Sequence, residues 1–205
     1  MTIVRKSLPV PEINMNEVYR YMGVLGEPDS AVIKLAEEAA EKVKETASCK
    51  VCYTRLKIDR TGDGTISIGE IKTDSAFLRK NLSDCNEAYL FFATIGGAVD
   101  RLIASARIVP SKALALDAAA SALTESLCNK LNSELKSEIR KEGKYLRPRY
   151  SAGFGDFTLD YQKYFVNMLD AQKNIGVILR NDTMLYPTKS VSALIGISDM
   201  ERKLL

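Results

Sequence analysis

The chain has 205 residues, 46% hydrophobic and 27% charged, with a formal net charge of +3. A chain of this length buries roughly 70% of its unfolded surface, so it needs no disulfide or metal staple. The small charge, with Lys and Arg scattered among Asp and Glu, excludes a nucleic-acid stripe, and no apolar run approaches the roughly 20 residues of a membrane helix.

In chain order, Met1–Pro11 reads as an extended arm. A short helix over Asn14–Met22 follows an Asn cap and stops before Gly23. Asp29 caps a longer helix to about Ala47, with Ile33, Ala36, Ala40 and Val43 as its apolar stripe. Val51–Ile58 and Thr65–Lys72 alternate around Thr-Gly-Asp-Gly and predict a β-hairpin. A short helix opens at Asp74 or Ser75 and ends near Leu82. Ala88–Ile95 reads as a buried strand ending at Gly96-Gly97, followed by a helix over Ala98–Arg107.

Pro110 suits the first position of a long helix that Gly143 ends. Leu123, Leu127, Leu131, Leu135 and Ile139 recur every four residues along it, and its first half is alanine-rich. An Arg-Pro-Arg loop, a helix over about Thr158–Lys173 and strands near Val177–Leu179 and Ser190–Ile197 complete the pattern. The expected fold is α+β, one twisted, largely antiparallel sheet packed with helices. Residues 1–48 form an N-terminal arm and helices, and 49–205 an α+β core continuous with them.

No histidine is present. That excludes Ser-His-Asp and Cys-His catalysis, imidazole metal ligation and the usual general base near neutral pH. Asp59–Glu70 follows the residue pattern of a calcium EF-hand loop, but the residues before it are strand-like, so we read a glycine-rich hairpin turn. Cys49-Lys50-Val51-Cys52 lacks two further zinc ligands. It runs from a helix into a strand, where residues three apart face opposite ways, so we expect buried, reduced thiols and no metal site. Met1–Ile13 lacks the apolar core of a secretory signal, and a cytoplasmic location is expected.

The segment Arg147–Ile197 carries the candidate site. Arg149 offers a bidentate fork for a carboxylate. Ser151, Ala152, Gly153 and Gly155 allow close backbone approach to a ligand. Phe154 and Tyr186 are candidate aromatic walls for an adenine or a cation. Ser190 and Ser192 share one strand face, with Val191 opposite. The same residues also fit ordinary roles: Arg149 beside a surface carboxylate, the glycines in a turn, Tyr186 in a core.

These motifs resemble the activation domain of cobalamin-dependent methionine synthase, in its short standalone form. Arg149 matches that family's Arg. Ala152-Gly153-Phe154-Gly155 stands for its Pro-Gly-Tyr-Pro turn, Met184-Leu185-Tyr186-Pro187 for its Met-Trp-Pro, and Ser190-Val191-Ser192 is identical. Phe92–Gly97 and the alanine-rich helix are also similar.

The resemblance implies binding of S-adenosylmethionine (AdoMet), with Arg149 on its carboxylate, Ser151 at the backbone contact, and Glu17 or Asn14 nearest to the residue that holds its amine. It implies a partner, the cobalamin-binding methionine synthase core, and an electron donor such as a flavodoxin or ferredoxin. The implied activity is reductive remethylation of the partner's cobalamin, with no catalytic acid or base supplied by this chain. Alternatives are service to another corrinoid methyltransferase, or an interaction module without AdoMet binding.

Overall fold

The computed structural model describes residues 1–62 and 64–201. Its framework is three long antiparallel strands: β2 (Lys50–Arg60), β5 (Cys85–Thr94) and β9 (Ser190–Ser198). β5 lies between the other two, with Tyr53 opposite Phe91 and Phe91 opposite Ala193. β1 (Val4–Ser7) pairs with the start of β2. The expected α+β class and antiparallel sheet are what the structure shows.

The sheet separates two cores. Val51, Tyr53, Phe91, Ala93, Ala193 and Ile195 point to one side. There they meet α1 (Met15–Tyr21), α2 (Ser30–Thr46), α4 (Gly97–Ser105) and α5 (Pro110–Arg140). Cys52, Leu90, Phe92 and Leu194 point to the other. There they meet α3 (Ala76–Asn81), α6 (Gln162–Met168) and α7 (Ala171–Ile175). The period-2 alternation of each strand therefore feeds both layers, and β5 is apolar throughout Ala88–Ala93 because both its faces are covered there. Cys49 and Cys52 fall in opposite cores, as their strand spacing requires.

α5 spans 31 residues, about 46 Å at the helical rise. Pro110 stands at its start. Buried Ala115, Ala118, Ala119 and Ala122 let its first half approach the sheet, where Ala93 and Ala193 are equally small.

Four segments differ from the sequence reading. The strand expected over Thr65–Lys72 is two strands, β3 (Ile66–Ile68) and β4 (Ile71–Thr73), folding back at Gly69, whose φ is +58°. The hairpin is thus a three-stranded meander. Asp59 and Arg60 belong to β2, so the EF-hand-like segment is entered from a strand; its Asp63 lies outside the described residues.

The helix expected over Thr158–Lys173 breaks at Asp170, which is left-handed at φ +41°. One straight helix would bury Gln172 with Phe165, Met168 and Leu169. The break instead exposes Gln172 and buries Ala171 and Ile175. Met184–Tyr186 is a strand, β8, paired with β7 (Ile178–Arg180) in a separate hairpin.

The fourth difference is the Arg-Pro-Arg loop, which lies along the outer edge of β9. β6 (Tyr145–Leu146) pairs with Ser198 and Ile197, and Tyr150 bridges to Leu194. Between Leu146 and Tyr150 this edge has one residue more than β9 has between Ile197 and Leu194. The extra residue makes a bulge at Pro148 and reverses the facing of the side chains. Arg147 therefore turns toward the α3 side and Arg149 toward α5.

Arg147 is 3% exposed. Its Nε donates to Asp84 Oδ1 at 3.0 Å, and its Nη2 donates to Ser198 Oγ at 2.8 Å and to the Met200 carbonyl at 2.7 Å. A second bond joins Nη2 to Asp84 Oδ2. Its backbone N–H donates to the Gly196 carbonyl at 2.8 Å. Gly196 is required here, since a Cβ would lie 2.6 Å from Cys85 Sγ and 2.7 Å from Leu82.

The Arg147 guanidinium, helped by Ser198, holds the Asp84 carboxyl at a pKa of about 2, below the usual 3.8. The stabilisation is present above about pH 4 and is lost as pH falls through 2. The expected outcome is that Asp84→Asn is less stable than wild type at pH 6, and that this gap in urea unfolding narrows by about 2 kcal/mol at pH 2.

Burial pushes the thiols up, Cys49 to about 11 and Cys52, Cys85 and Cys128 to about 12. The native chain at pH 8 should therefore release less than one equivalent from a thiol-disulfide reagent such as dithionitrobenzoate. Guanidinium unfolding should expose all four thiols.

Candidate functional site

α5 carries a polar stripe at the same four-residue spacing as its leucines. Asp117, Ser121, Glu125 and Asn129 follow one another on the side facing the start of β9 and the bulged edge. Two cations meet this stripe. Lys189 Nζ sits 2.8 Å from Asp117 Oδ1 and donates to Ser121 Oγ at 2.9 Å. Arg149 Nη2 donates to Glu125 Oε2 at 3.1 Å and to Asn129 Oδ1 at 3.2 Å. Between these contacts runs a groove of about 240 Å³, lined by Tyr21 of α1, Ser121, Thr124 and Glu125 of α5, and Thr188–Val191.

The strand side of the groove is held by a hydroxyl relay. The Gly96 N–H donates to Thr94 Oγ1 at 3.2 Å, Thr94 and Ser190 hydroxyls lie 2.9 Å apart, and Ser190 Oγ donates to the Pro187 carbonyl at 2.7 Å. Since the Pro187 carbonyl only accepts, the Ser190 proton is committed to it, and the Thr94 hydroxyl donates to Ser190. Asp100, in the first turn of α4, accepts from the Thr188 N–H at 2.9 Å and from its hydroxyl at 2.5 Å. These bonds fix the approach to β9 against α4, as the Lys189 contacts fix it against α5.

The sequence-derived candidates distribute unevenly around this groove. Ser190 lines it, and Arg149 borders it through Glu125. Glu17 is one helical turn from Tyr21 on α1 and pairs with Arg20, its Oε2 3.1 Å from Arg20 Nε. Asn14 caps α1, its side chain accepting from the Asn16 N–H. Tyr186 stands in a neighbouring cleft of about 530 Å³ that shares Thr188 and Lys189, with the Arg180 guanidinium 3.8 Å from its ring centroid.

Beyond the bulge the chain turns to the other face of the sheet. Ser151 is half-buried, and Ala152 enters the second core. The Gly153 N–H donates to the Phe157 carbonyl at 2.7 Å, and the Gly153 and Gly155 φ angles are +95° and +57°. A side chain on Gly155 would meet Phe77 of α3 at 2.9 Å. Phe154 is 62% exposed, and its carbonyl accepts from Tyr150 Oη at 3.2 Å. The glycine turn thus packs against α3, on the far side of the sheet from the Arg149 guanidinium.

Glu125, Ser121, Tyr21 and Lys189 were not singled out from sequence. The signal was present: a polar residue every four positions from Asp117 to Asn129, beside a leucine every four from Leu123. The leucine stripe reads as core and draws attention away from its polar neighbour.

Neither a protein-family model nor a curated protein matches the chain by sequence. Among solved structures it matches a crystal structure of the MetH reactivation domain bound to AdoHcy, with a TM-score of 0.73 at 13% identity, over 100% of this chain and 81% of that one. The two share a fold. Among the described residues, no helix is long and apolar enough to cross a membrane.

Proposed function

We propose that this chain binds AdoMet in the groove between α5 and the start of β9, and serves the reductive reactivation of a cobalamin-dependent methionine synthase. The observation that carries the reading is the Arg149–Glu125 pair at the groove, on a fold shared with a reactivation domain bound to AdoHcy, an AdoMet analogue. The amino-acid end of AdoMet presents one carboxylate and one ammonium. A half-exposed guanidinium and carboxylate 3.1 Å apart match both charges. Tyr21 supplies the aromatic face in the groove, suited to a sulfonium or an adenine. Glu125, rather than Glu17, is the amine partner this geometry favours.

When bound, AdoMet supplies an electrophilic methyl group, and the reduced cobalt on the partner is the nucleophile. The chain's own contribution is positional. Arg149 and Glu125 orient the amino-acid end, and the Thr94–Ser190–Pro187 relay keeps the groove wall rigid. No proton transfer is required of the protein, in keeping with a chain that has no histidine. A low-potential electron donor, a flavodoxin or ferredoxin, completes the system.

Calorimetric titration should show AdoMet and AdoHcy binding to the wild-type chain. Arg149→Ala should weaken AdoMet by about 10- to 150-fold, the worth of a hydrogen bond between charged groups, about 1.5–3 kcal/mol. Glu125→Gln should weaken it less, because an amide still accepts from the ammonium. No heat with wild-type protein would leave an interaction module without AdoMet binding.

A second measurement tests the reaction. The chain is mixed with a cobalamin-loaded methionine synthase core lacking its own activation domain, a low-potential reductant and AdoMet. The visible spectrum should pass from the Co(II) to the methylcobalamin form, at a rate that rises with the concentration of this chain. Equal rates without the chain would remove the assignment, and activity only with a different corrinoid protein would redirect it.

A further inference from the structure

The cleft beside the groove has a charge pattern that the fold does not consume. Its lining includes Arg101 of α4, Arg107 in the turn after α4, and Arg180 of β7, with Tyr186 at its wall. Its other charged groups are engaged: Asp100 with Thr188, and Asp117 with Lys189. Among the described residues, no carboxylate lies within ion-pair distance of Arg101, Arg107 or Arg180.

The three arginines line one cleft around Tyr186. Arg180 lies over one face of Tyr186. Arg101 Nη1 and Tyr186 Oη both lie within 4 Å of the point where a Gly97 side chain would begin. Arg107, two residues past the end of α4, lines the same cleft.

Exposed apolar side chains stand next in sequence to residues of this cleft's lining. Ile108, at the α4–α5 corner, is 93% exposed, and Val109 beside it is 42% exposed. Leu114, 49% exposed, lies one turn before Asp117 on α5, and Asp117 is part of the cleft lining. Exposed Arg, Tyr and aliphatic side chains in one patch are the composition of a protein-binding hot spot. A small-anion site would be more enclosed and would not need the apolar corner.

We propose that this face docks the cobalamin-carrying partner, through an acidic patch on that partner that meets Arg101, Arg107 and Arg180 while Ile108 and Leu114 anchor in an apolar recess. The inference rests on the function proposed above and names where the partner sits. Whatever accepts the methyl group must approach the groove, and Thr188 and Lys189 of its lining also line this cleft. A standard interface covers about 800 Å² per partner, a disc roughly 16 Å in radius. A footprint centred on the groove therefore takes in the adjoining cleft. The partner's acidic groups find unpaired guanidiniums there, at no cost of breaking an existing ion pair.

The test uses the full chain and the cobalamin-loaded methionine synthase core lacking its activation domain. Biolayer interferometry measures their affinity at 50 and 500 mM NaCl, and calorimetry measures AdoMet binding separately. The variants are Arg101→Glu with Arg107→Glu, and Ile108→Asp. Lys163→Glu with Lys173→Glu, on the opposite face of the sheet, matches the charge change.

At 50 mM salt the Arg101/Arg107 variant should bind the core at least 10-fold more weakly than wild type, with the difference shrinking at 500 mM as screening removes the charge contribution. Ile108→Asp should weaken binding at both salt concentrations. The Lys163/Lys173 variant should bind like wild type, and all variants should keep wild-type AdoMet affinity and melting temperature.

Wild-type affinity in the Arg101/Arg107 variant would overturn the docking face while leaving the AdoMet reading standing. Loss of AdoMet binding in that variant would overturn it too, by placing the cleft in the ligand site. So would inorganic pyrophosphate binding that the variant abolishes without changing core affinity, since the cleft would then serve a small anion. Wild-type chain that binds AdoMet but not the core would overturn both the partner and its docking face.

Discussion

One guanidinium holds the edge of this sheet in place. Without the Arg147 segment, β9 would be an exposed edge strand with unpaired N–H and C=O groups. The Tyr145–Tyr150 segment covers that edge, pairing with Ser198 and Ile197 and making backbone bonds to Gly196 and Leu194. A two-residue pairing and a single bridge make a weak ladder by themselves. Arg147 reinforces it from inside, tying the segment at once to Asp84 before β5 and to Ser198 and Met200 at the end of β9. Arg149 and the glycine turn, which both follow the bulge, inherit their positions from this anchor.

α5 then converts that placement into a site. Its leucine and alanine faces fix its distance from the sheet, which a helix with bulkier residues in its first half would not allow. At that distance Asp117, Ser121, Glu125 and Asn129 come within reach of Lys189 and Arg149. Two cations and two carboxylates balance one another, so the groove is close to neutral overall while presenting both signs locally. The neighbouring cleft is different, because its arginines outnumber the carboxylates free to meet them. A neutral groove bearing both signs suits a zwitterionic ligand, and a net positive cleft suits an anionic surface.

Much of the fold was legible in the sequence, for physical reasons. The continuous apolar run Ala88–Ile95, the leucine repeat of α5 and the Asp29 and Ser75 caps are local signals, and they yield the α+β sheet-and-helix arrangement. The misses are non-local or conformational. The fold-back at Gly69 leaves only a one-residue shift in apolar phase, from Ile66 and Ile68 to Ile71 and Thr73, which a bulge within one strand would also give. The break at Asp170 depends on which face must be buried against the sheet. The pairing of Tyr145–Leu146 with β9 joins residues about 50 apart and leaves almost no pattern in two residues. For the site, Arg149 and Ser190 were readable as residue types, but Glu125, Tyr21 and Lys189 meet them only through tertiary packing.

Arg147 and Arg149 show why a motif cannot assign roles by itself. They flank one proline and both face carboxylates, yet their surroundings separate them. The Arg147 side chain is 2% exposed, with Asp84 at 23%. Removing one member of a pair so buried leaves an uncompensated charge and costs about 3–5 kcal/mol. No ligand of ordinary affinity displaces such a contact, and Arg147 is therefore structural. The Arg149 and Glu125 side chains are 26% and 40% exposed. A pair in that setting is worth about 0–1 kcal/mol. A ligand carboxylate and ammonium can replace it at nearly no cost, because each charge exchanges one partner for another. The one-residue bulge at Pro148 creates this division of labour: it sends the first arginine into the protein to hold the edge, and the second to the groove, where its partner can be exchanged.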